Sequence, residues 1–172
     1  MNGVLQVSRV DTPLGGMVMA FSPRGLALLE FVDCLDARQT LPRLASASNL
    51  TVREGEDARA REVAAQLAAY FAGKRRTFDV ALDMVGTDFQ RRVWQSLLQI
   101  PYGETWSYAR QAAFLGDSRA VRAVAGANGR NPVSIIVPCH RVIGSNGRLT
   151  GYGGGMARKA ALLAMEGADF RP

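Results

Sequence analysis

Residues that ordinarily hold metals are scarce in this chain: 172 positions include one histidine, His140, and two cysteines, Cys34 and Cys139. A structural zinc site of the usual kind takes four Cys or His ligands, and this set falls short of it. No His-Glu-x-x-His pattern or aspartate cluster takes their place, so neither a metal nor another cofactor is expected. No apolar run approaches the roughly eighteen residues of a membrane span. The N-terminus also lacks the basic-then-apolar order of a secretion signal. These absences predict a soluble, cytoplasmic protein without membrane attachment. Both thiols are expected to be reduced, because a chain of this size can bury its own core without a disulfide.

Acidic residues are also few in the second half. Residues 1–88 carry 10 Arg/Lys and 11 Asp/Glu, whereas residues 89–172 carry 11 and 4, so the halves stand at −1 and +7. The asymmetry points to a polyanion meeting the C-terminal half, with nucleic acid the first candidate. A generic basic surface is the alternative.

The chain's organisation divides at the same place. Val4 to Val10, Met17 to Phe21 and Gly25 to Val32 are short apolar runs separated by Pro13-Leu14-Gly15-Gly16 and Ser22-Pro23-Arg24-Gly25, a pattern of antiparallel strands and turns. Residues 36–55 are polar and small and read mostly as loop. From Glu56 to Gly73, Val63, Leu67, Tyr70 and Phe71 recur on one helical face, and the stretch from Thr77 to Asp88 reads as a linker. Beyond it, Thr87 or Asp88 can cap a helix bearing Phe89, Val93, Trp94, Leu97 and Leu98. Ser107 can cap a second, running to Leu115. A third spans about 119–127 after the Gly116-Asp117-Ser118 turn, and the pair reads as a helix-turn-helix. Arg119 and Arg122 lie in its second helix among small residues, which serve either close approach to another surface or packing against the core.

The most informative segment is Pro138-Cys139-His140-Arg141-Val142. A thiolate is the reactive form of cysteine, and a neighbouring imidazole or guanidinium favours it. The apolar run Ile135-Ile136-Val137 before it looks like a buried strand, so a structural thiol is the alternative; the polar neighbours favour a nucleophile. On an extended segment adjacent side chains point to opposite faces, so His140 is expected to reach Cys139 through a bridging water. Cys34, between Asp33 and Leu35-Asp36, has acidic neighbours that disfavour its thiolate and reads as structural filler.

Phe89-Gln90-x-x-Val93-Trp94, Ile100-Pro101-x-Gly103-Glu104-Thr105-x-Ser107-Tyr108, Arg122-Ala123-Val124, Asn131-Pro132, the Cys139 pentapeptide, Gly151-Tyr152-x-Gly154-Gly155, Lys159 and Leu162-Leu163-x-x-Glu166-Gly167 together resemble the O6-alkylguanine-DNA alkyltransferases. The match covers residues 87–167 at consistent spacing, while residues 1–80 match loosely through Thr12-Pro13-Leu14-Gly15 and Tyr70-Phe71-x-Gly73. The resemblance implies an α+β fold. A small α/β N-terminal domain with an antiparallel sheet (1–80) and a linker (81–88) would precede a mainly helical DNA-binding and alkyl-transfer domain (89–172).

It further implies one-step DNA repair. Cys139 would take the alkyl group from O6-alkylguanine, and from O4-alkylthymine, and keep it, with His140, Glu166 and Tyr108 assisting. The partner would be duplex DNA, entered from the minor groove with the damaged nucleotide flipped out and Arg122 filling the gap. The expected DNA-contact set is Ser107, Tyr108, Arg119, Arg122, Ala123 and Asn128; the pocket set is Asn131, Val142, Tyr152, Gly153 and Lys159. Gly153 stands where some relatives carry serine, which implies a roomier pocket wall. A monomer is implied, with cooperative binding on DNA left open. A non-catalytic lesion binder would lack the acceptor cysteine, and a cysteine hydrolase would need a further His and Asn or Asp constellation.

Overall fold

Thr12 closes the first hairpin with its own side chain: Oγ1 donates to the Gly15 carbonyl (2.7 Å) and accepts from the Leu14 amide (3.1 Å). The turn joins β1 (Gly3–Thr12) to β2 (Gly15–Ser22), and Pro23-Arg24 turns the chain into β3 (Gly25–Phe31). The computed structural model describes residues 3–34 and 37–172, and the chain divides into two compact units, 1–85 and 86–172.

In the first unit the two hairpins are antiparallel, as the alternating runs predict, but the sheet is mixed. β4 (Leu50–Glu54) pairs parallel with β1 in the order β3-β2-β1-β4. The crossover between β3 and β4 contains α1 (Ala37–Ala47). Residues 36–55 are therefore a helix and a strand for most of their length, not a loop; position 36 lies outside the described residues. Local propensity hid both elements, because α1 contains Pro42 and β4 offers only Leu50 and Val52 as apolar residues. Tertiary packing supplies what propensity lacks. Leu44 and Ala45 are buried with Leu5, Val7, Val18, Ala20 and Leu28, and Leu41 packs beside them.

Met17, Met19 and Phe21 alternate with that set along β2 and are fully buried. Toward them lies α2 (Ala58–Phe71), capped by Asp57, with Val63, Leu67 and Tyr70 buried and the Arg59 guanidinium 4.8 Å from the Phe21 ring centre. Segment 79–83 is pinned from two sides. Gln66 exchanges two 2.9 Å bonds with the Asp79 backbone, while the Leu26 amide donates to Ala81 and the Asp83 amide to Leu26. At Gly25 a β-carbon would sit 2.5 Å from the Ala81 carbonyl oxygen, so this approach requires glycine. Cys34 is not core filler: it ends a short turn beyond β3, exposed, with its thiol 3.4 Å from the Asp33 carboxylate.

The second unit begins with a reciprocal cap. The Thr87 side chain accepts from the Gln90 amide while Gln90 accepts from the Thr87 amide, starting α3 (Asp88–Leu97). Val93, Trp94 and Leu97 are buried, and the Trp94 indole donates to the Ala127 carbonyl (2.8 Å). After β5 (Trp106–Ser107), Ser107 caps α4 (Tyr108–Phe114); a turn then leads to α5 (Val121–Gly129), which lies two residues later than its expected start. These two helices form the helix-turn-helix. β6 (Val142–Ile143) pairs parallel with β5, and α6 (Met156–Met165) follows. Among the described residues no helix is long and apolar enough to cross a membrane.

Candidate active site

The approach to Cys139 is a compact turn rather than the expected strand. Ile135 has φ of 70°, a left-handed conformation unfavourable for a β-branched residue. The Asn131 side chain spans this turn, accepting from the Val133 amide (3.0 Å) and donating to the Val137 carbonyl (2.8 Å). Buried Val133, Ile135 and Val137 complete the support. Such strain costs about 1–3 kcal/mol and persists only where the surroundings over-determine it.

Cys139 then opens a single 3-10 turn, Cys139–Arg141. Its amide donates to Val137 (2.9 Å) and the Arg141 amide to Pro138 (3.0 Å). The segment is thus not extended, and its adjacent side chains do not alternate between opposite faces as expected. With three residues per turn, adjacent side chains still diverge by roughly 120°.

His140 is fully buried, its Nε2 2.9 Å from Glu166 Oε2. Glu166 also accepts from Arg141, at Oε1 from Nε (2.8 Å) and at Oε2 from Nη2 (3.1 Å), and Arg141 Nη1 donates to the Ile100 carbonyl (2.7 Å). Burial opposes ionisation of Glu166, yet the bonds from His140 and Arg141 outweigh it and hold the carboxyl at about 2. Burial lowers His140 below its ordinary value, against the upward pull of Glu166, with the Arg141 and Lys159 charges adding to the lowering. The imidazole is therefore neutral near pH 7. An ionised Glu166 requires the hydrogen on Nε2, leaving Nδ1 as the basic nitrogen; among the described residues Nδ1 has no hydrogen-bond partner.

In front of this network a cavity of about 460 Å³ is lined by Cys139, Tyr108, Tyr152, Gly151, Gly153, Thr150, Asn128, Ala125 and Gly129. The Tyr108 hydroxyl bonds to Thr150 Oγ1 (2.7 Å). Burial raises the phenol above its ordinary value, opposed by the Thr150 bond and assisted by negative charge at Cys139 when its thiol ionises, so the hydroxyl keeps its proton. At Gly153 a β-carbon would meet only the Gly129 carbonyl, at 3.8 Å, so this wall is open.

The structure thus brings Cys139, Tyr108, Tyr152 and Gly153 to one cavity, with His140 and Glu166 buried among the supports of the Cys139 turn. Three expected pocket residues do not line it. Asn131 braces the chain before Cys139. Val142 is buried in β6, and Lys159 is fully buried with Nζ donating to the carbonyls of Val142 (2.6 Å) and Thr150 (3.3 Å). Burial brings Lys159 down to about 8, while the Cys139 charge pulls it upward, so the ammonium is a buried cation close to the thiol.

Arg122 and Ala123 are exposed on α5, and Arg119 is exposed in the preceding turn. The Ser107 hydroxyl is occupied in capping α4, where it accepts from the Arg110 amide (3.0 Å). Asn128, expected among the DNA contacts, lies in the lining of the cavity. It is buried with both ends of its amide paired to Gln111 (2.7 and 3.0 Å), because its helical position turns toward α4. Ala125 and Gly129, missed from sequence, share the helical spacing of Arg122 (i+3, i+7) that could have placed them on this wall. Arg141 and Thr150 were also missed, although Arg141 lies within the pentapeptide and Thr150 beside Gly151-Tyr152. Among the described residues no cluster of His, Cys, Asp and Glu could hold a metal ion.

Fold and site define a helix-turn-helix unit carrying a thiol beside a cavity, backed by a buried Glu-His-Arg network. The family model described as 6-O-methylguanine DNA methyltransferase, DNA binding domain, matches residues 88–168, and its ribonuclease-like domain matches residues 7–84. The chain belongs to the 6-O-methylguanine DNA methyltransferase family. It is 47% identical over 163 residues to the methylated-DNA--protein-cysteine methyltransferase of Mycolicibacterium paratuberculosis, covering 95% of this chain and 93% of that protein. With the protein of that name from Mycobacterium bovis it shares 64% identity over 101 residues, 59% of this chain and 61% of the relative's length. Among solved structures, Mycobacterium tuberculosis OGT in complex with DNA is 46% identical with a TM-score of 0.80, over 95% of this chain and 93% of that one.

Proposed function

We propose that the protein repairs DNA by transferring the alkyl group of O6-alkylguanine, and of O4-alkylthymine, to Cys139, each molecule acting once as a methylated-DNA-protein-cysteine methyltransferase. The observation that carries the reading is the cavity itself. It presents a cysteine together with two tyrosines, and the residue after that cysteine is a buried histidine whose Nε2 is held by a buried glutamate, leaving Nδ1 as the basic nitrogen.

The thiol proton leaves through one water to His140 Nδ1, and Glu166 stabilises the imidazolium. The thiolate attacks the alkyl carbon, the C–S bond forms as the C–O6 bond breaks, and the electron pair passes to guanine. Guanine, which stays in the strand, takes the Tyr108 proton, and the tyrosine recovers one from the imidazolium through solvent, so that in net terms the proton lost by the thiol is gained by the guanine. The Lys159 ammonium favours the thiolate. A thioether has no hydrolysable acyl group, which accounts for single use.

DNA is the partner of residues 89–172, joined by a linker, 81–88, to the N-terminal domain, 1–80. The +7 charge of the C-terminal half favours phosphates. Arg122, on the exposed face of α5, enters the minor groove and fills the gap left by the flipped nucleotide, at an unstacking cost of a few kcal/mol. Arg119 and Ala123 lie along the same approach. The protein acts as a monomer in the cytoplasm.

Mass spectrometry after incubation with duplex DNA containing O6-methylguanine tests the reading. One methyl group per chain on Cys139 is the expected result. A label on Cys34, or release of many product equivalents per chain, would overturn it.

A further inference from the structure

Arg141 is buried, at 7% exposed, and all three of its hydrogen bonds are spent on two acceptors. Two of them meet Glu166, whose Oε2 is shared with His140 Nε2. The Ile100 carbonyl takes the third, tying the guanidinium to the chain just beyond α3. Tyr102 stacks on the outer side, its ring centre 5.7 Å from the guanidinium carbon. Nothing in the transfer reaction above uses this arginine.

Building on the proposed alkyl transfer, we infer that Arg141 is a positioning residue: it fixes Glu166 as an ionised, oriented acceptor and thereby sets His140 in the Nε2–H form, with Nδ1 bare. Arginine cannot accept a hydrogen bond and does not lose its proton. With a guanidinium held on both of its oxygens, at 2.8 and 3.1 Å, the carboxyl stays ionised, and an ionised carboxylate can only accept from His140. Only the imidazole can supply the third hydrogen.

Arg141 has a second effect. The charged groups around His140 are Glu166 at the end of α6, Lys159 within α6 and Arg141 in the same turn, with the titratable Cys139 thiol adjacent. The two cations oppose its protonation while Glu166 favours it. Arg141 both strengthens the anion's hold on the ring's position and weakens its pull on the ring's charge, leaving a base that stays neutral until the thiol needs it.

The chain's single histidine makes this directly measurable. Long-range proton–nitrogen correlation spectra of the intact protein with labelled histidine are expected to show the Nε2–H form of His140 at pH 7. The Nδ1–H form, or an imidazolium, would overturn the inference. In Arg141→Gln the midpoint for His140 protonation is expected to rise by roughly one pH unit, as for removal of a nearby like charge. The acid limb of O6-benzylguanine labelling should move with it. A lower labelling rate with both midpoints unchanged would make Arg141 merely structural. Should Arg141→Gln not fold, Arg141→Lys retains the charge but not the fork, and is expected to populate a second His140 form; an unchanged spectrum would refute the inference. Failure of wild-type Cys139 to label would refute the transfer reaction, while the histidine spectra would still decide the role of Arg141.

Discussion

Replacing Glu166 by glutamine keeps the shape of the side chain and removes its charge, and its consequences can be worked out from three distances. The carboxylate receives Arg141 Nε at 2.8 Å, Arg141 Nη2 at 3.1 Å and His140 Nε2 at 2.9 Å. An amide has one accepting oxygen, so either orientation sets its NH₂ against an N–H. With the NH₂ toward Arg141 Nε, a buried guanidinium N–H loses its acceptor. With the NH₂ toward His140, the ring can adapt only by accepting at Nε2 and carrying its hydrogen on Nδ1, which removes the base. The guanidinium charge is uncompensated in both cases, and breaking a buried pair in this way costs about 3–5 kcal/mol. Loss of general-base assistance should slow alkyl transfer by about 10²- to 10⁴-fold. Urea unfolding gives the first quantity, and the second-order rate of O6-benzylguanine labelling at Cys139 gives the second. A stable variant that labels at the wild-type rate would refute the proton route through His140.

Acid should reveal the same network in the wild-type protein. Glu166 is held at about 2, below its ordinary 4.5, so its contribution to stability is full above about 4.5 and is lost as pH falls toward 2. The lowered His140 likewise stabilises the fold above its ordinary 6.5, and that contribution disappears as pH falls through its folded value. Thermal unfolding followed from pH 7 to pH 2 should show both losses, with the Glu166 portion absent from Glu166→Gln. Cys139→Ser should abolish transfer while retaining salt-dependent binding to alkylated duplex in gel shifts, because serine is nearly isosteric but far less ionised. Arg122→Ala should slow repair of duplex O6-alkylguanine much more than reaction with free O6-benzylguanine; equal losses would remove the arginine from the base-flipping role. Gly25→Ala should part β3 from segment 81–83, since the new β-carbon would meet the Ala81 oxygen at 2.5 Å, and a wild-type melting temperature would contradict that packing.

Elements whose signals are local were legible in the sequence: the hairpins through Pro13-Leu14-Gly15-Gly16 and Ser22-Pro23-Arg24-Gly25, α3 through a cap at Thr87 or Asp88, and α4 through Ser107. α1 and β4 were not, because their stability comes from Leu44 and Ala45 meeting the sheet and from β4 pairing with β1, contacts that no local window contains. The turn at Ile135 was misread as strand because its residues are β-branched and apolar, while the side chain that bends it, Asn131, lies outside the run. At the site, Cys139 and His140 were visible as chemistry, and Tyr108 through the family resemblance. The separation of cavity wall from support, with Val142 and Lys159 behind the wall and Asn128 in it while paired to Gln111, depends on which way each helix and turn faces after packing. Arg141 was overlooked within its own motif because its partners lie 41 residues before it and 25 after it.

The brace of Asn131 across Ile135 divides the labour of the site. Cys139 is located by main-chain bonds to Val137 and by a backbone held in an unfavourable conformation upstream, whereas the opposite wall is made by Thr150, Gly151, Tyr152 and Gly153 in a loop. The reacting atom and the walls that select what reaches it therefore belong to separate pieces of chain. Substitutions in the loop can reshape the space offered to an adduct without moving the sulfur, while a change at Asn131 would displace the sulfur and leave the loop wall in place. Selectivity and reactivity in this architecture can drift independently, and variants with a new adduct preference should be sought in 150–153 and not around the thiol.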